Sequence, residues 1–193
     1  MAFTLALGQP APDFELPGVD GQQHSLSDYE EARVLVIGFT CNHCPYVIQS
    51  EERIKAFDKT YRPQGVQLVC INSNSVQTYA EDSFEHMVER ARERGFSFPY
   101  LRDESQDVAR AYGALRTPHF FAFGPDRTLL YTGRLDNSPR DAAKAQTREL
   151  ADAVEAMLAG KAPAVAVTNP IGCNVKWDGK DAHWMPPEAC DLV

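Results

Sequence analysis

Apolar residues along this chain come in short unbroken blocks, and the blocks alternate with stretches of helical spacing. Val34-Leu35-Val36-Ile37-Gly38-Phe39 is a continuous apolar run bounded by polar residues, the pattern of a strand buried on both faces. From Pro45 the spacing becomes helical. Tyr46, Ile48, Ile54, Phe57 and Tyr61 form its apolar side, and Pro63-Gln64-Gly65 ends it. Val66–Ile71 predicts a second buried strand, and a helix over 78–94 follows, with Phe84, Met87, Val88 and Ala91 as its stripe and Gly95 as its stop. An extended piece at Phe98–Leu101 and a helix around Ser105–Tyr112 lead to Arg116-Thr117-Pro118. His119–Phe123 and Thr128–Gly133, joined by Gly124-Pro125-Asp126-Arg127, predict an antiparallel hairpin. Ser138-Pro139-Arg140-Asp141 carries the signature of a helix start, so a long helix is expected to about Ala159 and Gly160.

The order β-α-β-α…β-β-α implies an α/β fold with a mixed central sheet flanked by helices, parallel first and antiparallel at the end. Residues 8–30 hold many Pro, Gly and Asp, and the turn at Val19-Asp20-Gly21-Gln22 marks an N-terminal hairpin lead-in. Beyond Lys161 the periodicity stops. Residues 1–160 are therefore expected to form one domain and residues 161–193 a C-terminal extension packed on it, pinned by Trp177 and Trp184.

Composition narrows the function. The 193 residues carry 19 Lys+Arg against 27 Asp+Glu, a net charge of −8, which offers no footprint for a nucleic acid. No apolar run is long enough to span a bilayer, and the first residues lack the basic start of a secretory signal, so a cytoplasmic protein without membrane or nucleic-acid partners is expected. In that compartment disulfides are usually catalytic or transient.

The five cysteines, Cys41, Cys44, Cys70, Cys173 and Cys190, include one local pair. Cys41 and Cys44 fall between a buried strand and a helix whose first position is Pro45. A helix N-terminus offers unpaired N–H groups and a positive dipole end, both of which favour a thiolate. His43 is a possible third stabiliser, with its imidazolium beside the Cys41 sulfur. Its bland alternative is a solvated loop residue. Cys70, in an apolar run, reads as a small buried hydrophobe. Cys173 is a candidate resolving thiol or an ordered tail cysteine without a redox part. Cys190 receives no role. A zinc site from Cys41, Cys44, His43 and Cys173 would lack the usual second closely spaced ligand pair, so neither metal nor other cofactor is expected. His24, His86 and His183 show no partner pattern, and the charged run 81–94 reads as a solvated helix face.

With Cys-x-x-C between strand and helix and Thr117-Pro118 before the hairpin strand, the chain resembles the thioredoxin superfamily over about residues 8–160. Ala11-Pro12-Asp13-Phe14, Asp20-Gly21 and Ser25-Leu26-Ser27-Asp28 look like its redoxin branch. Cys41-Asn42-His43-Cys44-Pro45-Tyr46 and the tail segment Thr168–Trp177 are similar to a peroxiredoxin-like subgroup of that branch. The resemblance implies a cis Pro118 facing the dithiol, and site residues Cys41, Cys44, His43, Thr117 and Pro118. It also implies thiol–disulfide exchange with protein or small-molecule disulfides, Cys41 attacking and Cys44 resolving, with a dithiol as electron donor. Disulfide oxidases of the superfamily place a histidine just before the second cysteine, so the couple is expected to be more oxidising than thioredoxin at roughly −270 mV. The alternative is a thiol peroxidase in which peroxide oxidises Cys44, and Cys41 or Cys173 resolves the sulfenic acid. Against the peroxiredoxin pattern P-x-x-x-T-x-x-C-P, Cys44-Pro45 matches, while Ile37 and Cys41 replace the proline and threonine, and Arg116 is displaced by one residue. Against thioredoxin, Leu35 stands at the position of the buried aspartate and Thr40 at that of the tryptophan.

Overall fold

The computed structural model describes residues 3–192, with side chains through Ala189, so that Cys190 lies outside the described side chains. The hairpin β1 (Glu15–Pro17) and β2 (Gln23–Ser25) opens the chain, turning at Gly21 with φ +81°. Then come β3 (Val34–Phe39), α1 (Pro45–Tyr61), β4 (Val66–Asn72), α2 (Phe84–Arg94), β5 (Tyr100–Arg102) and α3 (Asp107–Tyr112). The two-residue strand β6 (Arg116–Thr117) leads into β7 (His119–Phe123) and β8 (Leu129–Gly133), followed by α4 (Glu149–Leu158) and a short tail strand, β9 (Cys173–Asn174).

The central sheet has the order β5-β4-β3-β7-β8. β3, β4 and β5 run parallel, while β7 and β8 are antiparallel, giving the mixed sheet expected from the sequence. Period-two alternation makes β3 serve both faces. Val34 and Val36 pack with Ile54, Phe57 and Tyr61 of α1 and Leu150 and Val154 of α4. Leu35, Ile37 and Phe39 pack on the other face with Val108 and Tyr112 of α3 and with Val175 and Trp177 of the tail. The buried side of α1 uses Val47 where the spacing suggested Ile48, which is exposed.

Two helix expectations are corrected. The predicted helix over 78–94 begins only at Phe84, capped by Ser83, because a 3-10 turn at Ala80–Asp82 takes the preceding residues. The long helix expected from Ser138 shrinks to α4, Glu149–Leu158. The carbonyls that would have started it are taken by α1. Ser50 Oγ and Arg53 Nη2 donate to the Pro139 oxygen at 3.1 and 2.7 Å, and Arg53 Nη1 donates to that of Ser138 at 3.1 Å. Asp141 instead caps a 3-10 turn over Ala142–Lys144.

The tail returns across the domain. Thr132 and Thr168 bracket it through Thr132 N–H to Ala166 O and Thr168 N–H to Thr132 O, both 3.0 Å. β9 then pairs antiparallel with β6, placing Thr117 opposite Cys173 and Arg116 opposite Asn174. No helix among the described residues is long and apolar enough to cross a membrane.

Candidate active site

β3 ends against the loop that carries Cys41, and Cys44 is the residue preceding the first turn of α1, with Pro45 at its first position. Pro45 lacks the N–H that would be unpaired there anyway, and its fixed φ suits the start of a helix. Thr117 and Pro118, joined by a cis peptide bond, face this corner. Cys44 Sγ lies 3.2 Å from the Thr117 carbonyl oxygen, and Cys41 Sγ lies 3.5 Å from Thr117 Oγ1. Cys173 joins them through β9, packing against the pair together with Val47 and Tyr46. All three sulfurs are free thiols. Cys41 and Cys44 are 1% and 0% exposed, while Cys173 is only half-buried.

The sulfurs are electrostatically unequal. With a proton in place Cys44 donates to the Thr117 carbonyl. As a thiolate it accepts from the Cys173 thiol, the Cys41 thiol and the N–H groups of Val47 and Cys173. Those donors, the Cys173 thiol foremost, outweigh burial and hold the Cys44 pKa far below the ordinary thiol range. Burial pushes Cys41 well above that range, reinforced by its bond to Cys44 and by the negative charges of Asp82 and Cys44. The bond to Cys44, then burial, raises Cys173 as well. Cys70 is the buried strand cysteine its sequence suggests, its thiol pushed up by burial.

His43 stands near Cys41 as expected, with a ring nitrogen within 4.8 Å of the Cys41 sulfur, but its hydrogen bond goes to a third residue. Its Nδ1 lies 2.5 Å from Asp82 Oδ2, and its ring stacks on Tyr79 with centroids 3.7 Å apart. Asp82 is the residue that sequence reasoning missed. Placed in a run expected to be solvated, its carboxylate is 0% exposed and also accepts from Asn42 N–H at 2.6 Å and Asn74 Nδ2 at 3.0 Å. Burial alone would raise its pKa. The bond and charge of His43, with the Asn42 and Asn74 donors, hold it below the usual carboxylate range instead. Asn72, at the end of β4, adds a donor at 3.3 Å. The signal was the polar stretch Asn72-Ser73-Asn74-Ser75 directly after a buried strand, which brings amide donors to the carboxyl ends of the parallel strands.

Cys41 Sγ, a His43 ring nitrogen and an Asp82 oxygen lie within 4.8 Å of one another, the one such group of ligand-type atoms among the described residues. The Asp82 oxygens already serve His43 and three amide donors, so the trio is knit together by its own hydrogen bonds. Behind Cys41 a small cavity is lined by Glu51, Arg90 and Tyr100. Arg90 Nη2 holds Glu51 Oε2 at 2.6 Å, so a second charged residue of the 81–94 run turns inward rather than to solvent. Arg116 is committed to the tail. Its Nη1 donates to Gly172 O at 3.1 Å and Asn174 Oδ1 at 2.8 Å.

The chain is similar to several known proteins. A hypothetical protein from Sinorhizobium meliloti 1021 has a crystal structure that superposes with a TM-score of 0.87 at 37% identity, covering 93% of this chain and 98% of its own. The thiol-disulfide oxidoreductase ResA of Geobacillus thermodenitrificans is 27% identical over 118 residues, which span 61% of this chain and 63% of ResA. The peroxidoxin BcpB of Mycobacterium tuberculosis, 22% identical, shares the fold with a TM-score of 0.56 over 66% of this chain and 84% of its own. The chain thus spans less than two thirds of the length of the curated relatives it matches. The mixed sheet with its flanking helices is the thioredoxin fold. Residues 6–149 match the family described as Redoxin, and the chain belongs to that family.

Proposed function

We propose that the protein exchanges electrons between its Cys41/Cys44 dithiol and substrate disulfides, with Cys44 as the attacking thiolate. The observation that carries this reading is the place of Cys44 at the start of α1 with Cys41 and Cys173 packed on it, where both thiols and the N–H groups of Val47 and Cys173 favour its thiolate. A thiolate is the nucleophile of disulfide exchange. Cys44 attacks one sulfur of the substrate, and the other leaves as a thiolate. The mixed disulfide no longer carries the Cys44 charge, one of the influences that keep Cys41 protonated. Cys41 then loses its proton to the leaving thiolate and attacks Cys44, closing the Cys41–Cys44 disulfide and releasing the second thiol. The order is the reverse of the sequence expectation, because the helix terminus and Cys173 both act on Cys44. A dithiol donor reverses the steps, in the cytoplasm, where disulfides are transient.

A second reading, peroxide reduction at Cys44, draws on the same lowered thiolate and on the match of Cys44-Pro45 to the peroxiredoxin pattern. A peroxidase must also polarise the O–O bond with fixed donors. The guanidinium beside the site, Arg116, is engaged by Gly172 and Asn174. Rapid mixing of the reduced protein with glutathione disulfide and with hydrogen peroxide, beside free cysteine, separates the two. Exchange predicts a disulfide rate orders of magnitude above free cysteine, abolished in Cys44→Ser and halted at a trapped mixed disulfide when Cys41→Ser and Cys173→Ser are combined. A peroxide rate that is enhanced instead, with Cys44 sulfenic acid persisting in the Cys41→Ser, Cys173→Ser double variant, would replace it with the peroxidase.

A further inference from the structure

Both sulfurs of the dithiol are shut off from solvent, yet exchange needs a partner sulfur to approach in line with them. The third thiol resolves this. Thr117 touches the whole cluster: its Oγ1 contacts Cys41, its carbonyl contacts Cys44, and its backbone is the register partner of Cys173. Cys41 and Cys44 pack together with Cys173 against them, so Cys44 has two neighbouring thiols and can form a disulfide with only one at a time. The tail is fixed on both sides of Cys173. Arg116 grips the Gly172 carbonyl and the Asn174 side chain, Val175 N–H donates to Leu115 O at 3.2 Å, and Ser75 N–H donates to Lys176 O at 2.8 Å. Cys173 is therefore held at the dithiol while remaining partly open to solvent.

We infer that Cys173 is a third redox thiol, which takes the disulfide over from Cys41 and presents it at the surface to the electron donor. The inference rests on the exchange chemistry proposed above. In the transfer, the Cys173 sulfur attacks Cys44 of the Cys41–Cys44 disulfide. The Cys44–Cys173 bond forms, the Cys41–Cys44 bond breaks, and the proton lost by Cys173 goes to the departing Cys41. No electrons are gained or lost in that step. A dithiol donor then attacks Cys173, expelling Cys44 as its stabilised thiolate. The donor's second thiol attacks the mixed disulfide, freeing Cys173 and leaving the donor oxidised. Cys44 leaves with the Cys41 thiol and the N–H groups of Val47 and Cys173 still there to stabilise its thiolate, and a good leaving thiolate speeds exchange.

The test is a disulfide map of the full chain in a Cys190→Ser background, oxidised by glutathione disulfide, acid-quenched, alkylated and digested. The expected map contains both Cys41–Cys44 and Cys44–Cys173 peptides, and only the latter in Cys41→Ser. Cys173→Ser should still close Cys41–Cys44 but should be reduced by reduced thioredoxin at least ~10-fold more slowly than the parent. A parent that forms Cys41–Cys44 and never Cys44–Cys173, with Cys173→Ser reduced at the parent rate, overturns the third-thiol role and leaves the exchange reading standing. A parent in which Cys44 forms no disulfide overturns the exchange reading and the third-thiol role with it. The parent map alone decides between these outcomes if a serine variant fails to fold.

Discussion

Gly172 lies so close to Thr117 that a Cβ on it would stand 2.1 Å from the Thr117 carbonyl oxygen. That oxygen is backbone, and it is the one that meets Cys44. The contact sets how near the tail runs to the dithiol, and a methyl group would force the two apart. Gly172→Ala is expected to cut the yield of the Cys44–Cys173 disulfide by roughly tenfold while sparing Cys41–Cys44. The overpacking should cost about 1–3 kcal/mol, read from the urea midpoint. An unchanged yield in the peptide map would show that the tail tolerates the shift.

Removing the strongest donor to Cys44 should raise its pKa. The bond from Cys173 stabilises the thiolate and not the thiol, so Cys173→Ala favours the protonated form. Acid titration of the thiolate absorbance, assigned to Cys44 by alkylation mapping, should move upward in pH relative to the parent. A downward or absent shift would mean that the Cys41 thiol and the helix terminus hold the charge without Cys173.

Asp82→Asn keeps the shape of the side chain and discharges it. Because the Asp82 charge raises Cys41, the Cys41 thiol should titrate at lower pH in the variant, measured as its alkylation rate against pH. His43 loses its charged partner, and breaking this buried network should cost about 1–3 kcal/mol of unfolding free energy. A variant with the parent's Cys41 profile would leave Asp82 a structural anchor only.

His119 makes stability depend on pH. It is buried in β7, accepting from Leu115 N–H through Nδ1 at 3.3 Å and meeting Thr132 Oγ1 through Nε2 at 3.0 Å, which leaves no room for a second ring proton. Burial, aided by the Arg116 charge, lowers its pKa to about 3. The unfolded chain takes up a proton near pH ~6.5 and the folded one does not, so stability from this group is present above that pH and is lost as pH falls toward 3. The slope is roughly 1.4 kcal/mol per pH unit inside that window. In His119→Gln the urea midpoint should fall less steeply with acid over the same range. Parallel curves would contradict the assignment.

What the sequence disclosed was local. A six-residue apolar run entering a Cys-x-x-C with proline at the first helical position specifies strand, loop and helix within thirty residues, and Thr117-Pro118 before an apolar block supplies the facing edge. The inequality of the two sulfurs was not readable, because the donor that decides it, Cys173, arrives from far along the chain by backbone pairing with Thr117. Asp82 was hidden for a related reason. A carboxylate among charged neighbours looks solvated until the amides at the end of β4 are seen to close over it. The missing start of the long helix shows competition rather than absence of signal: Ser138-Pro139-Arg140-Asp141 is a sound cap, but Ser50 and Arg53 claim the carbonyls first.

The strand that completes the site has a consequence during synthesis. Cys41 and Cys44 leave the ribosome long before β9, and the sheet around them can close while the tail is still being made. Until Cys173 docks, Cys44 lacks its strongest donor and the pair is uncovered. The nascent domain is thus a more open and less activated dithiol than the finished one, and arrival of the tail converts one into the other.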